Sequence, residues 1–254
     1  MLIDSHCHLD ADEFAADRDA VHAAARAGGV ERILVPAVAV GNFPAVRDCA
    51  QRYLGCAAAY GIHPLYVNAV RESDLATLRQ WLAAERPAAI GEIGLDHHVA
   101  DVDPQRQAFF FVEQLKLARE FGLPVVLHVR RAVDAVLQAL RRVRVSGGIA
   151  HAFNGSRQQA DEFRRLGFIL GFGGALTFSG STRIRQLAAT LPDDAIALET
   201  DAPDIPPAWL GGGRNTPGEL PRIAAELAQL RGISLAAVSA LTTSNVRRVL
   251  PGIG

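Results

Sequence analysis

The chain is poor in cysteine and has no long apolar run. Its three cysteines, Cys7, Cys49 and Cys56, follow no disulfide-framework spacing, and an odd, low count fits a reducing cytoplasm. No apolar stretch approaches the roughly 20 residues that a membrane-spanning helix needs. The N-terminal segment lacks the basic region and apolar run of a secretory signal peptide. We therefore expect a cytoplasmic protein with no membrane partner.

The chain also lacks an excess of charge of either sign, and it shows no sign of a domain boundary. Its 26 lysines and arginines offset 27 acidic residues, and the formal net charge is −1, so the surface as a whole does not favour polyanions. Any nucleic acid would have to be attracted by a local patch. No linker, charge run or composition break divides the 254 residues, and nothing indicates an obligate protein partner. We predict a single domain over residues 1–254, a length that one barrel domain routinely takes.

Short β-branched apolar runs alternate with longer amphipathic segments. Runs such as Pro124–His128 and Ala195–Glu199 are almost continuously apolar, which is typical of strands buried on both faces. Eight strands alternating with helices imply parallel pairing through right-handed crossovers. The prediction is an α/β fold, a (β/α)8 TIM-like barrel, and an open doubly wound sheet is the alternative. The predicted strands lie near residues 2–5, 32–37, 56–60, 88–92, 124–128, 147–151, 168–173 and 196–200.

Capping residues, glycine and proline delimit four of the intervening helices. Asp103 and Pro104 supply an N-cap and a first-turn proline, and Gly122 ends the same helix. Ser156, followed three positions later by Gln159, has the spacing of a capping box. The four predicted helices cover residues 11–27, 72–86, 104–121 and 157–166.

Histidines and carboxylates stand where six of the predicted strands end. The carboxyl ends of all strands of a barrel open on one face, so side chains far apart in the chain converge on one mouth. Taken alone, each would more often be a hydrogen-bonded core histidine or a capping carboxylate. Together they indicate a metal site. These residues are His6, His8, His63, Glu92, His128, His151, Glu199 and Asp201.

His6 and His8 are one residue apart in an extended segment, so both imidazoles point the same way while Cys7 points elsewhere. Together with the other histidines and carboxylates, they supply more ligands than the four that one tetrahedral ion needs. Two ions about 3.5–4 Å apart, sharing a bridging carboxylate, would use them all. Asp201 is a natural partner for an activated water, as ligand and proton acceptor. We expect two divalent cations per subunit, with Mg²⁺, Mn²⁺ or Zn²⁺ as candidates.

The single lysine narrows the choice of bridge. Amidohydrolases of this architecture often bridge their metals with a carboxylated lysine at a strand end. Here Lys116 lies inside a predicted helix, so that bridge is absent. Glu92 is therefore the best bridging candidate.

Seven segments in order resemble the TatD family of metal-dependent deoxyribonucleases, essentially end to end. They are Asp4–Leu9, Gly61–Pro64, Gly91–Asp96, Pro124–His128, His151–Ser156, Leu198–Pro203 and Arg214-Asn215. The resemblance implies a TIM-like barrel of the metal-dependent hydrolase type that acts in the cytoplasm. Members studied as nucleases hydrolyse DNA phosphodiesters, often from an end and with Mg²⁺.

The resemblance also assigns roles to residues of this chain. Asp201 and Glu92, which we predict to be catalytic from the chemistry above, are both among the implied metal ligands, whereas His63 and Glu199 occupy motif positions with a supporting role. The implied metal ligands are His6, His8, Glu92, His128, His151 and Asp201.

Three departures from the family pattern fall on substrate-facing positions and leave the implied ligands unchanged. Arg131 stands where many members carry aspartate. His97-His98 replaces the usual aromatic residues after the fourth strand. Ala152–Gly155 replaces a Cys-Phe-Ser-Gly segment after the sixth.

The sequence leaves three functions open. The first is a phosphodiesterase acting on DNA ends or short oligonucleotides, such as a 3′ exonuclease, with substrate contacts from His63, Arg130, Arg131 and Arg214. Each arginine is equally well explained by salt bridges between barrel loops. The second is an amidohydrolase or lactonase acting on a small molecule, which the absent lysine bridge and the motifs disfavour. The third is a non-catalytic binding protein, which the complete ligand set disfavours.

Overall fold

Eight parallel strands pair in the order of the sequence in the computed structural model, which describes residues 1–254. They are β1 (Leu2–Asp4), β2 (Val30–Pro36), β3 (Cys56–Tyr60), β4 (Ala89–Asp96), β5 (Val125–Arg130), β6 (Gly148–Ala150), β7 (Phe168–Phe172) and β8 (Ile196–Leu198). Ser5 N donates to Leu198 O at 3.0 Å and Asp201 N donates to His6 O at 2.8 Å, which closes the sheet between β1 and β8. The predicted (β/α)8 barrel is confirmed. Sequential pairing excludes the open doubly wound sheet, whose strand order reverses at a switch point.

No single helix of the structure is long and apolar enough to cross a membrane. Two consecutive helical segments, Pro217–Arg231 and Leu235–Val249, reach that length and hydropathy only when taken together, and they are bent by 107° at the break between them.

Nine α-helices accompany the eight strands. The helices are α1 (Arg18–Ala27), α2 (Phe43–Arg52), α3 (Asp74–Glu85), α4 (Pro104–Phe121), α5 (Val133–Arg142), α6 (Arg157–Arg165), α7 (Thr182–Thr190), α8 (Leu220–Arg231) and α9 (Leu235–Val249).

Helices with strong local signals match their predicted bounds closely. At α4, the Asp103 carboxylate accepts from the backbone N–H groups of Gln105 and Arg106, and Gly122 ends the helix with a φ of 65°. At α6, Ser156 and Gln159 form the predicted capping box. These caps satisfy backbone groups that the helix itself leaves unpaired, and their partners lie within three residues, so the sequence alone specifies them.

The first predicted helix, 11–27, is wrong in its first half. Residues Asp12–Phe14 form a short 3₁₀ turn, and the α-helix begins only at Arg18. The Arg18 guanidinium donates to the carbonyls of Leu9, Asp10 and Ala11 at 2.7–2.8 Å. This side chain satisfies carbonyls that lie outside any helix, so the segment after β1 holds its shape despite its alanine-rich, helix-favouring composition.

Apolar side chains fill the interior of the barrel, so the polar candidate site lies at the carboxyl ends of the strands. Each strand contributes one buried apolar side chain to a common cluster, and Val246, Leu250 and Ile253 from α9 and the last turn join it. A larger cluster lies between the strands and the helices. The strand contributions to the inner cluster are Ile3, Leu34, Ala59, Ala89, Val126, Ile149, Ile169 and Ala197.

Candidate metal centre

His6 and His8 lie in the segment that leaves β1, and their rings converge. Their Nε2 atoms are 3.3 Å apart, and Asp201 Oδ1 lies 3.4 Å from His6 Nε2 and 3.8 Å from His8 Nε2. Cys7, between the two histidines, is fully buried in the core. The alternation expected of an extended segment therefore places both imidazoles on one side, facing the carboxylate that follows β8.

Glu92, from the middle of β4, separates two groups of donor atoms with its two oxygens. Oε2 lies 3.1 Å from His6 Nε2 and 3.5 Å from His8 Nε2. Oε1 lies 2.9 Å from His128 Nδ1 and 2.7 Å from His151 Nε2. The Glu92 side chain is only 2% exposed. His63 Nε2 also lies 3.3 Å from Oε1. One buried carboxylate thus faces five imidazoles, two at Oε2 and three at Oε1.

These spacings fit a bound cation. Four ligands at about 2.0–2.2 Å around a tetrahedral ion lie roughly 3.3–3.6 Å from one another. The distances between donor atoms of His6, His8, Glu92 and Asp201 run from 3.1 to 3.8 Å and bracket that range. Glu92, His128 and His151 form a tighter group, at 2.7–3.5 Å. The buried histidine, glutamate and aspartate groups are therefore able to hold a metal.

A match to a known family places this geometry in context. A family model described as "TatD related DNase" matches residues 3–251.

The chain belongs to the TatD family.

Individual relatives cover almost the whole chain. The chain is 40% identical over 234 residues to the uncharacterized metal-dependent hydrolase YjjV of Escherichia coli, which spans 91% of this chain and 90% of that protein. It is 34% identical over 255 residues to a protein of Cronobacter sakazakii named 3′-5′ ssDNA/RNA exonuclease TatD, with coverage of 98% and 97%. The crystal structure of Escherichia coli YjjV superposes with a TM-score of 0.94 at 37% identity, covering 98% of each chain. The family resemblance is confirmed, and the chain is a metal-dependent hydrolase of this TatD family.

His128 is held by two carboxylates, one of which the sequence reasoning missed. Its Nδ1 faces Glu92 Oε1, whereas its Nε2 lies 2.9 Å from Asp96 Oδ2. If Nε2 carries the hydrogen and donates it to Asp96, the Nδ1 lone pair points into the TatD site. Asp96 also accepts from the backbone N–H groups of His98 and Val99. Strand β4 was predicted to end at Glu92 but continues to Asp96, which stands on the same face four residues later.

His63 differs from the other histidines of the site in its hydrogen bonding. Its Nδ1 accepts the backbone N–H of Leu65 at 3.1 Å, so the neutral ring carries its hydrogen on Nε2. That Nε2 lies 3.3 Å from Glu92 Oε1. Although His63 is close enough to serve as a ligand with Glu92 and His128, a ring fixed in this tautomer offers an N–H donor rather than a lone pair.

Two further buried carboxylates lie at the ends of the strands, Asp4 as the last residue of β1 and Glu199 directly after β8. Asp4 accepts from the backbone N–H and the hydroxyl of Thr200, at 2.9 and 2.6 Å. Glu199 accepts from Ala152 N, and its Oε1 lies 3.7 Å from His151 Nδ1. A Cβ atom on Gly171 would lie 2.1 Å from Glu199 Oε2, so only glycine leaves room for this carboxylate. Glu199 therefore lies beside the Nδ1 side of the His151 ring.

Burial and neighbouring charges set the protonation of the TatD centre. Burial disfavours ionisation of Glu92, but the surrounding histidines His151, His63 and His6 hold its pKa well below its usual range. Burial likewise opposes a charge on His8, yet Glu92 and Asp201 raise the pKa of His8 to about 9. Burial raises the pKa of Asp201 to about 7 and lowers the pKa of His6 to about 3. Glu92 also raises the pKa values of His128 and His151, against the effect of their burial. A buried carboxylate that favours protons on the imidazoles around it is a site where a divalent ion can replace those protons.

Of the three arginines predicted to contact substrate, Arg130 is the one with a close contact to a residue of the site. Arg130 Nη1 lies 4.0 Å from Asp96 Oδ2 with its side chain about half exposed. Arg131 is exposed, adopts a left-handed φ of 53°, and lines a surface cavity of about 340 Å³ together with His97. Arg214 instead pairs with both oxygens of Asp17, at 3.0 and 2.6 Å, and covers the Phe14 ring. Its contacts match the salt-bridge interpretation of this residue.

Proposed function

We propose that this TatD-family hydrolase is a two-metal nuclease that releases nucleotides from the ends of single-stranded DNA. The observation that carries the proposal is the placement of Glu92, whose Oε2 faces His6 and His8 and whose Oε1 faces His128 and His151. Paired divalent ions are a common solution for hydrolysing phosphodiesters. Similarity along the whole chain to a relative named as a single-stranded DNA and RNA exonuclease supports the substrate class. We further propose one domain over residues 1–254, acting in the cytoplasm, where its three free cysteines would stay reduced.

In this proposal Glu92 would be shared by two divalent ions. His6, His8 and Asp201 would hold the first ion with Glu92, and His128 and His151 would hold the second. The ions, with Mg²⁺, Mn²⁺ or Zn²⁺ as candidates, would supply an activated water and neutralise charge that builds on the phosphoryl oxygens.

Asp201 is the proposed proton acceptor. It lies three residues after the end of β8, and its Oδ1 is 3.4 Å from His6 Nε2. An ionised carboxylate at the edge of the centre can accept a proton from the attacking water and pass it on. Its backbone is also held in the left-handed region, with a φ of 56°, a strained conformation that often marks functional positions.

His63 and the rim arginines are the proposed contacts to the substrate phosphate. The Nε2–H of His63 faces the centre beside Glu92 and is the proposed donor to a phosphoryl oxygen bound there. Arg130 and Arg131 offer guanidinium groups at the rim, and Arg214 is already engaged by Asp17. The chain has a net charge of −1, so only these few side chains would contact phosphates. A small number of phosphate contacts favours strand ends and short oligonucleotides as substrates over internal sites of a duplex.

The test is a substrate profile of the metal-reconstituted protein on single-stranded DNA, duplex DNA, RNA, simple lactones and amides. We expect metal-dependent release of mononucleotides from single-stranded DNA, with slower loss of duplex. Chelation should abolish the activity, and a divalent ion should restore it. If the fully metallated protein leaves single-stranded DNA intact but hydrolyses lactones or amides, the nuclease proposal is wrong. The same metal centre would then belong to a small-molecule hydrolase.

A further inference from the structure

Tyr66 is an exposed aromatic side chain beside the metal centre. It lies in the short turn Pro64–Tyr66 that follows β3, on the side of the barrel where the strands end. Its side chain is 44% exposed, and its ring meets the His63 ring edge to face, with centroids 6.1 Å apart. Single exposed apolar residues are common and need no explanation by themselves. The position of Tyr66 is different because His63 Nε2 lies only 3.3 Å from Glu92.

The segment that carries Tyr66 is held in place on both sides. Before it, the fully buried Gln114 amide accepts from Ile62 N at 2.6 Å and donates to Ile62 O at 3.0 Å. After it, Arg106 donates to the carbonyls of Val67 and Val70 at 2.8–3.1 Å. An exposed ring on a pinned backbone loses little conformational freedom when a ligand covers it.

The order of these side chains matches the order of groups in a nucleotide. Glu92 and the histidines around it are the proposed site of the phosphoryl group, and the Nε2–H of His63 is its proposed donor. The Tyr66 ring contacts the His63 ring, whose Nε2 in turn faces Glu92. A base is separated from its phosphate by one sugar ring, so a nucleotide with its phosphate at His63 brings its base to the level of Tyr66.

We propose that Tyr66 is the stacking platform for the base of the nucleotide at the cleaved end, which defines a nucleobase subsite next to the metal centre. The proposal rests on the proposed nuclease function. Every base has a π face, so stacking is tolerant of sequence, and the hydroxyl of Tyr66 is not needed for it. The subsite therefore accepts any terminal base and discriminates against an end that has none.

The test compares wild type, Tyr66→Phe and Tyr66→Ala holoenzymes on two single-stranded oligonucleotides. One ends in an ordinary nucleotide and the other ends in an abasic tetrahydrofuran residue. For Tyr66→Ala we expect kcat/KM on the ordinary end to fall by about five- to 150-fold, the range that corresponds to stacking of one base. The same variant should cleave the abasic end as fast as wild type, and Tyr66→Phe should resemble wild type on both. Binding of a nucleoside monophosphate, measured by calorimetry, should weaken by a similar factor in Tyr66→Ala alone.

Leu54→Ala is the matched control, because Leu54 is a 75% exposed apolar side chain that precedes β3 at the opposite end of the barrel. It should behave as wild type in every assay. Equal losses on both oligonucleotides, or no loss on either, would overturn the subsite while wild-type cleavage kept the nuclease proposal standing. A wild-type holoenzyme that cleaves neither oligonucleotide would overturn the nuclease and the subsite together.

Discussion

Two carboxylates of the centre are expected to play separable roles. Glu92 faces both groups of imidazoles, whereas Asp201 approaches only His6 and His8. Glu92→Ala should therefore lose bound metal and activity together. Asp201→Asn keeps an oxygen ligand but cannot accept a proton, so kcat should fall by about 10²–10⁴-fold while most of the metal remains. Metal content by mass spectrometry and kcat on single-stranded DNA measure the two effects.

Asp48→Asn serves as the control for these substitutions, because Asp48 is an exposed carboxylate paired with Arg47 on α2. It should change neither metal content nor kcat. Asp201→Asn protein that loses its metal as completely as Glu92→Ala would show that Asp201 acts mainly as a ligand.

Asp96 is expected to strengthen metal binding without touching the ion. It orients His128 through Nε2 and so directs Nδ1 at Glu92. Asp96→Asn keeps one oxygen for the backbone N–H groups of His98 and Val99 but loses the charged partner of His128. Loss of such a partner typically costs about 10–100-fold in metal affinity or activity. Titration against a competing chelator measures the affinity, and an unchanged affinity would contradict the positioning role.

Arg131 is expected to contribute to the binding of nucleic acid and not to the rate of the hydrolytic step. Arg131→Ala should weaken cleavage of single-stranded DNA and lower the slope of log affinity against log salt by about 0.7, the share of one phosphate contact on a single strand. Cleavage of a small phosphodiester without a nucleic-acid chain should continue at the wild-type rate. Arg142→Ala, at the exposed end of α5, is the control. If Arg131→Ala slows both substrates equally, its role lies in the centre itself or in the fold.

At the scale of elements, α4 anchors the chain where β3 and β4 end. Two buried glutamines seven residues apart lie on the same side of this helix. Gln107 pairs with the backbone N–H and C=O of Asp96, and Gln114 pairs in the same way with Ile62. One helix thus fixes the carboxylate behind His128 and the segment that leads to His63.

Gln114→Leu should lower the stability of the protein through this anchor. It would leave the N–H and C=O of Ile62 buried without partners, and each such group costs about 1–3 kcal/mol, so the free energy of unfolding should fall by about 2–6 kcal/mol. Urea denaturation measures the change. Gln105→Leu replaces an exposed glutamine on the same helix and should have little effect. Equal stability of the two variants would mean that the Gln114 bonds contribute nothing net.

Elements with local start and stop signals were predicted well, and those set by tertiary contacts were not. Asp103, Pro104 and Gly122 specify α4 without reference to the rest of the barrel. In contrast, Arg18 holds three carbonyls in the loop after β1, which no pattern of helix propensity reveals. Strand β4 continues past Glu92 because Leu95 and Asp96 pair with β5 at Val129 and Arg130.

At the scale of the whole molecule, the barrel topology explains why the ligand candidates were visible in the sequence. All eight parallel strands end on one face of the barrel. Residues at those ends, such as His6, Glu92 and His128, must therefore lie close together, and the alternation of strands and helices is enough to predict this. The finer features were not visible, because they depend on contacts between distant segments. Examples are the choice of Nδ1 in His128 and the pairing of Arg214 with Asp17.

The metal centre also couples metal binding, pH and stability of the whole barrel. The folded-state pKa of His8 is about 9, above its usual value of 6.5, so its protonation stabilises the metal-free protein fully below pH 6.5. This contribution is lost as the pH rises toward 9. Burial of Asp201, with a pKa of about 7, acts in the same direction because its charged form is disfavoured in the metal-free fold. Metal binding has the opposite dependence, since a cation needs neutral imidazole and ionised carboxylate.

The difference in Tm between metal-loaded and metal-free protein should therefore grow from pH 6.5 to pH 9. A cation present at about 100 times its Kd adds about 2.7 kcal/mol to the stability, and proton competition raises the apparent Kd as the pH falls. Thermal unfolding with EDTA or with a divalent ion, at matched ionic strength across this pH range, measures the difference. Glu92→Ala should show almost no metal-dependent shift at any pH, because it removes the carboxylate that both groups of imidazoles face. A wild-type shift that stays constant or shrinks with rising pH would mean that His8 and Asp201 do not exchange protons for the ion.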